Sequence, residues 1–196
     1  KGNPNCMVID SAEPAVKKEL AAALSGKLIR MYYGDDLIGN EVGAAAKNVI
    51  GIAAGMLDGI GGDSMKGALM ARGAREVSRL IKAMGGNEMT AYGLCHLGDY
   101  EATLFSPHSH NRSFGEAFAR AQAQGSGTEL DMLRKGRHNI GLAEGVNTAQ
   151  AIMLLSCEYN VDMPICSGVY SVIFHGVEVG EALEGMLLRN LKTEFY

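Results

Sequence analysis

Lys47 and Asn48 are the polar pair in an otherwise oily stretch. They sit in Gly39-Asn40-Glu41-Val42-Gly43-Ala44-Ala45-Ala46-Lys47-Asn48-Val49-Ile50-Gly51-Ile52-Ala53-Ala54-Gly55, where small and apolar residues occupy every helical face. A lysine in such a setting has few routes to water. Desolvation disfavours its charged form and lowers its pKa, which makes the group a usable proton donor or acceptor near neutral pH. The competing reading is a lysine that lays its stem along a core helix and reaches the surface with its ammonium. Strongly perturbed lysines also occur at structural sites, so spacing alone leaves both readings open.

A second cluster runs from Leu97 to Gly115. His108 and His110 stand two apart, but no third ligand accompanies them at a convincing spacing, so no metal is expected. Ser109, His110, Asn111 and Arg112 fall at an expected helix start. Free backbone N–H groups and the helix dipole favour an anion there, and a phosphate suits the site. The alternative is that Ser109 merely caps the helix. Asp99 reads either as a turn residue or as a partner that holds the Lys47 ammonium. In Gly141-Leu142-Ala143-Glu144-Gly145, the Glu144 carboxylate precedes a helix, where negative charge is favourable.

The elements that must position these groups follow from pattern. Cys6–Asp10 and Leu28–Tyr33 read as strands, with a helix from about Ala15 to Leu24 between them. This is one α/β repeat, too small to fold alone, and it should belong to a larger sheet. From Gly39 the pattern turns helical, to about Met56. A glycine loop at 59–62 closes on an N-cap at Asp63 or Ser64, and a helix through Leu69, Val77 and Ile81 stops at Gly85-Gly86. Another helix begins near Asn111. Residues 124–127 form the loosest stretch, and three helices end the chain: 146–158, 164–174 and 179–191. The glycine loop has neither the preceding strand nor the spacing of a dinucleotide-binding loop.

Composition sets the outer bounds. The chain has 196 residues, 47% apolar and 20% charged, with a net charge of −4, which gives no reason to expect nucleic acid or an anionic membrane as partner. The apolar run 42–57 carries Lys47 and is too short to cross a bilayer comfortably, so no membrane insertion is expected. No signal peptide is visible. The four cysteines lie far apart without a CxxC, and buried, reduced thiols in a cytoplasmic protein are the expected state.

Taken together, the residues resemble the NAD(P)-dependent glycerol-3-phosphate dehydrogenases. Gly39-Asn40-Glu41 through Lys47-Asn48 is similar to that family's G-x-E-x5-K-N segment. The likeness continues in order through Gly55, Asp58-Gly59, Gly62-Asp63, Ala71-Arg72-Gly73, Gly85-Gly86, Gly93-Leu94 and Leu97-Gly98-Asp99. It then takes in Ser109-x-Asn111-Arg112-x-Phe114-Gly115, Ala143-Glu144-Gly145 and Met163-Pro164-Ile165. The resemblance implies a mainly α fold. Residues 39–196 would be an all-helical substrate-binding domain of the 6-phosphogluconate dehydrogenase type, and residues 1–38 a β-α-β remnant of a Rossmann domain.

The implied reaction interconverts dihydroxyacetone phosphate and sn-glycerol 3-phosphate with NAD or NADP, in carbohydrate and glycerophospholipid metabolism. By the same resemblance Lys47 is the general acid/base and Asp99 its partner at the substrate hydroxyls. Ser109, His110, Asn111 and Arg112 contact substrate, and His110, Leu142 and Glu144 touch the cofactor. A cytoplasmic location and a possible homodimer fit the same picture.

Two substitutions depart from the family. His110 stands where it usually has arginine, a bidentate and permanently charged group, and Arg112 is a candidate to compensate. His96 stands where the family tends to have glycine. The chain also resembles a fragment that begins inside the cofactor domain, and alone it should bind the dinucleotide poorly. The alternatives are a non-catalytic helical binding or dimerising module and, more remotely, an oxidoreductase acting on another hydroxy acid.

Overall fold

The computed structural model describes residues 2–135, 139–191 and 193–194. The chain opens with strand β1 (Asn5–Ile9), helix α1 (Pro14–Leu24) and strand β2 (Ile29–Tyr33). Pro14 stands in the first turn of α1, where the missing N–H would be unpartnered anyway. The strands pair in parallel with Met7 opposite Met31. Such a pair needs a crossover, and α1 supplies it. Met7, Leu20, Leu24, Ile29, Tyr32 and Tyr33 remain exposed, so this unit has almost no core of its own.

A polar joint ties the unit to the helices. The Asp10 carboxylate accepts from the Ser11 and Asp36 amides, from Asn40 Nδ2 at 2.8 Å and from the Lys17 ammonium at 3.3 Å. Burial pushes the Asp10 pKa up, but these donors outweigh it and hold it below the usual carboxylate value. Asp36 in turn caps helix α2 (Leu37–Gly59) through the Gly39 amide at 3.1 Å, and accepts from Thr90 Oγ1 at 2.6 Å.

Helix α2 is the axis of the rest. Around it pack α3 (Lys66–Ala83), α4 (His110–Ala123), α6 (Glu144–Glu158) and α7 (Pro164–His175), with α5 (Gly127–Arg134) against α4 and α8 (Val179–Leu187) against α7. Ala46, Val49, Ile50, Ile52 and Ala54 of α2 are fully buried among Leu80, Ile81, Phe118 and Ile173. The α2–α4 contact is backbone on backbone. A Cβ on Gly55 would overlap the Arg112 carbonyl, and one on Gly115 would overlap the Ile52 carbonyl, so only glycine admits this approach. The fold is mainly α, as the sequence implies.

Two elements carry no expectation from the sequence, and two expectations need correction. Helix α5 begins at the end of the loose stretch 124–127, in a run to which pattern assigns no element. A wide π-type turn at Glu101–Phe105, which has no periodic signature, links the Asp99 segment to the α4 loop. Helix α8 stops at Leu187 rather than 191. Finally, only Cys95 and Cys166 are buried; Cys6 and Cys157 are exposed.

Candidate functional site

Lys47 projects from the middle of α2 and meets Asp99, carried on the short turn Leu97–Asp99, in a direct ion pair. The lysine is less buried than its oily neighbours suggest. Its side chain keeps 23% of its surface accessible, and that of Asp99 keeps 38%. Ala44 and Ala45, one turn earlier, are exposed. Small residues here leave one side of the helix open to solvent, and the ammonium is paired with a carboxylate instead of sealed in the core. The pair combines a proton-bearing nitrogen, a fixed counter-charge and access to water.

Asn48, the next residue, faces a second partner. Asn111 Nδ2 donates to Asn48 Oδ1 at 3.1 Å, and Asn111 Oδ1 accepts the Gly145 amide at 2.9 Å. One buried amide thus joins α2 to the first turns of α4 and α6. A Cβ on Gly145 would lie 2.6 Å from the Asn48 carbonyl, so glycine is required for α6 to come this close. Two helix N-termini, each with a partial positive charge, thus meet at Asn48, the residue that follows Lys47.

Ser109 caps α4, its hydroxyl accepting the Arg112 amide at 3.3 Å. His110 is exposed, and its ring lies against Gly141, with Leu142 and Glu144 exposed just beyond. These four residues form one exposed edge beside the start of α4.

Arg112 does not join them. Its guanidinium donates to Asp58 and Glu116 at 2.8 Å each and to the Ser106 carbonyl at 3.0 Å. Burial opposes its charge, yet the two carboxylates prevail and hold its pKa above the usual arginine value. Asp58 also pairs with Lys66. The expected compensation for His110 by Arg112 is therefore not what this geometry provides. The side chain locks the start of α4 to α2 and to the Ser106 segment that precedes α4.

Spacing did not point to Asn48, the Asn111–Gly145 bond or the ring of His96 as parts of the site. The Lys-Asn dipeptide was the available signal for Asn48. The other two depend on contacts across many residues of chain. Among the described residues, no group of three or more His, Cys, Asp or Glu could hold a metal ion.

A family model described as the C-terminus of NAD-dependent glycerol-3-phosphate dehydrogenase matches residues 36–184. The chain belongs to this family. It is 36% identical over 195 residues to a glycerol-3-phosphate dehydrogenase [NAD(P)+] of Rhodospirillum rubrum, covering 99% of this chain and 54% of that protein. It is 38% identical to the one of Clostridium botulinum, covering 98% and 56%. The crystal structure of glycerol-3-phosphate dehydrogenase from Coxiella burnetii superposes with a TM-score of 0.81 at 29% identity, over 96% of this chain and 56% of that one. The Plasmodium falciparum structure, at 16% identity and the same TM-score, shares the fold. The chain spans about half the length of the relatives it matches.

Within the described part of this family member, the one strand-to-helix crossover does not suit a pyrophosphate. Glu13 places a carboxylate at the N-cap of α1, and Pro14 removes an N–H from its first turn. Leu142 exposes an apolar side chain, His110 a flat ring and Glu144 an acceptor on one edge of the molecule. Among the described residues, no helix is long and apolar enough to cross a membrane.

Proposed function

We propose that this chain is the substrate-binding and catalytic part of an NAD- or NADP-dependent glycerol-3-phosphate dehydrogenase, which interconverts dihydroxyacetone phosphate and sn-glycerol 3-phosphate. The observation that carries this reading is the Lys47–Asp99 pair, with two helix N-termini meeting at the next residue, Asn48. A ketone to be reduced needs a proton at its oxygen. A phosphate ester needs a cationic or N–H-rich subsite a few ångströms away. This junction has both.

The nicotinamide cofactor, when bound, supplies the hydride to the carbonyl carbon. Lys47 donates a proton to the carbonyl oxygen as charge builds there, and is left as a neutral amine that regains its proton from water at the open side of the helix. In the oxidation direction the neutral amine removes the hydroxyl proton. Asp99 keeps the nitrogen oriented and stabilises its charged form. Ser109, His110 and Asn111, at the start of α4, hold the phosphate, and its binding energy orients the carbonyl. His110 also borders Leu142 and Glu144, which we assign to the cofactor edge.

On this reading residues 1–38 close a dinucleotide-binding domain and residues 39–196 form the helical domain. The enzyme works in the cytoplasm on water-soluble phosphate esters. A homodimer is compatible with it, and sedimentation of the intact protein decides that point.

The test is NAD(P)H oxidation by the intact enzyme with dihydroxyacetone phosphate against unphosphorylated dihydroxyacetone. The phosphorylated ketone is expected to be preferred by at least a hundredfold in kcat/KM, with Asn111→Ala removing much of that preference. Equal use of both ketones would defeat the phosphate assignment. No turnover of either would favour the alternative of a non-catalytic helical module.

A further inference from the structure

Two groups hold the ring of His96 in one orientation. His96 has no accessible surface. Its Nδ1 lies 2.8 Å from the carbonyl oxygen of Gly43, which can only accept, so Nδ1 carries the proton and donates it. Nε2 is then an acceptor and takes the hydroxyl proton of Tyr100 at 2.6 Å. Tyr100 is fully buried too, edge-on to the imidazole with ring centroids 4.8 Å apart. Burial drives the His96 pKa down to about 4, so the ring is neutral wherever the enzyme works.

These contacts bracket the ion pair. Gly43 stands one helical turn before Lys47 on α2. The carbonyl of His96 itself accepts the amide of Asp99 at 3.1 Å, and Tyr100 follows Asp99 directly. The ring therefore grips the helix that carries the ammonium, while its backbone and its phenol partner flank the residue that carries the carboxylate. A Cβ at Gly43 would lie 3.2 Å from the Cβ of His96, so the two segments are already at close range.

We infer that His96, locked between Gly43 and Tyr100, is a positioning residue that sets the placement of Asp99 against Lys47. The inference rests on the reading of Lys47 as the acid/base. Reacting groups displaced by about 1 Å lose on the order of a hundredfold in rate, so a residue that never touches substrate can govern kcat.

The test uses the intact enzyme with dihydroxyacetone phosphate and NAD(P)H, in four variants: His96→Gly, His96→Gln, Tyr100→Phe and Lys47→Ala. His96→Gly is expected to lower kcat by about tenfold to a hundredfold, leave KM for the ketone within twofold, and shift the pH limb of kcat that reports Lys47. Free imidazole, which fits the space left by the ring, is expected to restore part of the rate and return the limb. If His96→Gly does not fold, Tyr100→Phe carries the test. It frees Nε2 while the ring stays buried, and a lower kcat with a shifted limb is again expected. Variants that lose thermal stability but keep both kcat and the pH limb overturn the inference. Lys47→Ala separates the two failures: activity retained there defeats the underlying reading, whereas activity lost there alone defeats only the role given to His96.

Discussion

At the N-terminus of α7, the amides of Ile165 and Cys166 each donate at 2.9 Å to the two carboxylate oxygens of Glu76, a residue of α3 that is 1% exposed. At the N-terminus of α4, the Ser109 hydroxyl accepts the Arg112 amide, and His110 in the first turn is exposed. Both helix starts attract negative charge for the same reason: unpaired N–H groups and an aligned backbone dipole. In the interior the chain supplies the acceptor itself, a carboxyl that becomes charged only as pH passes about 7. At α4 it supplies only a neutral hydroxyl cap, where the proposed function places the charge of a ligand. The pKa of Glu76 shows the cost of the first arrangement, since burial raises it to about 7 even though two amides lower it. Under the proposed function, the contrast accounts for a phosphate ester binding at α4 and not at α7.

The largest effect that would break this contrast is at α7. Glu76→Ala leaves two buried amides without acceptors and a cavity beside them, and is expected to lower stability by about 3 kcal/mol. Thermal unfolding should show it, with the activity of the protein that remains folded unchanged. A loss of substrate affinity in this variant would mean that the two helix starts are not separate in function.

Nearly as large is a pH effect shared by Glu76 and His96. Glu76 keeps its proton in the folded state up to about pH 7 but loses it near 4.5 when unfolded, so its contribution to stability falls as pH rises through that interval. His96 has the opposite sign. The unfolded ring binds a proton below about 6.5 and the folded ring only below about 4, so its contribution rises with pH across that range. Each shift of about 2.5 units corresponds to roughly 3 kcal/mol. Between pH 4.5 and 6.5 the two largely cancel. Denaturant titrations are expected to show stability rising with pH in Glu76→Gln and falling in His96→Gln. The same slope in both variants would refute these protonation states.

Arg112 sharpens the division between structural and ligand-facing charge. Arg112→Ala strips Asp58 and Glu116 of their shared cation and should cost about 2 kcal/mol, partly offset by Lys66. KM for dihydroxyacetone phosphate is expected to hold within twofold. A tenfold rise in KM without loss of stability would return Arg112 to the phosphate subsite. The smallest effect is Ser109→Ala, about 1 kcal/mol of stability for a lost cap, with a few-fold rise in KM for the phosphorylated ketone.

Much of the fold and part of the site can be read from residue patterns. The long helix around Lys47, the stop at Gly85-Gly86, the cap at Ser109 and the first-turn Pro164 are local signals, and each element forms near its expected place. Glu76 was legible in principle. It shares the buried stripe of α3 with Leu69, Gly73, Val77 and Leu80, and a carboxylate on such a stripe requires a partner. Arg112 was not, because its partner Asp58 lies 54 residues away on another helix. His96 sits in a loop without periodicity, where nothing local reveals that its ring turns inward. The depth of Lys47 stays open in the sequence because small residues read alike whether they pack against a helix or face solvent.

The most direct measurement is single-turnover oxidation of enzyme-bound NAD(P)H by dihydroxyacetone phosphate, comparing the intact enzyme with its Lys47→Met variant. That substitution keeps an unbranched side chain one atom shorter and removes the ionisable nitrogen. Hydride transfer is expected to slow by at least about a hundredfold while the ketone still binds. A transfer rate within a few-fold of the unmodified enzyme would contradict Lys47 as the proton donor.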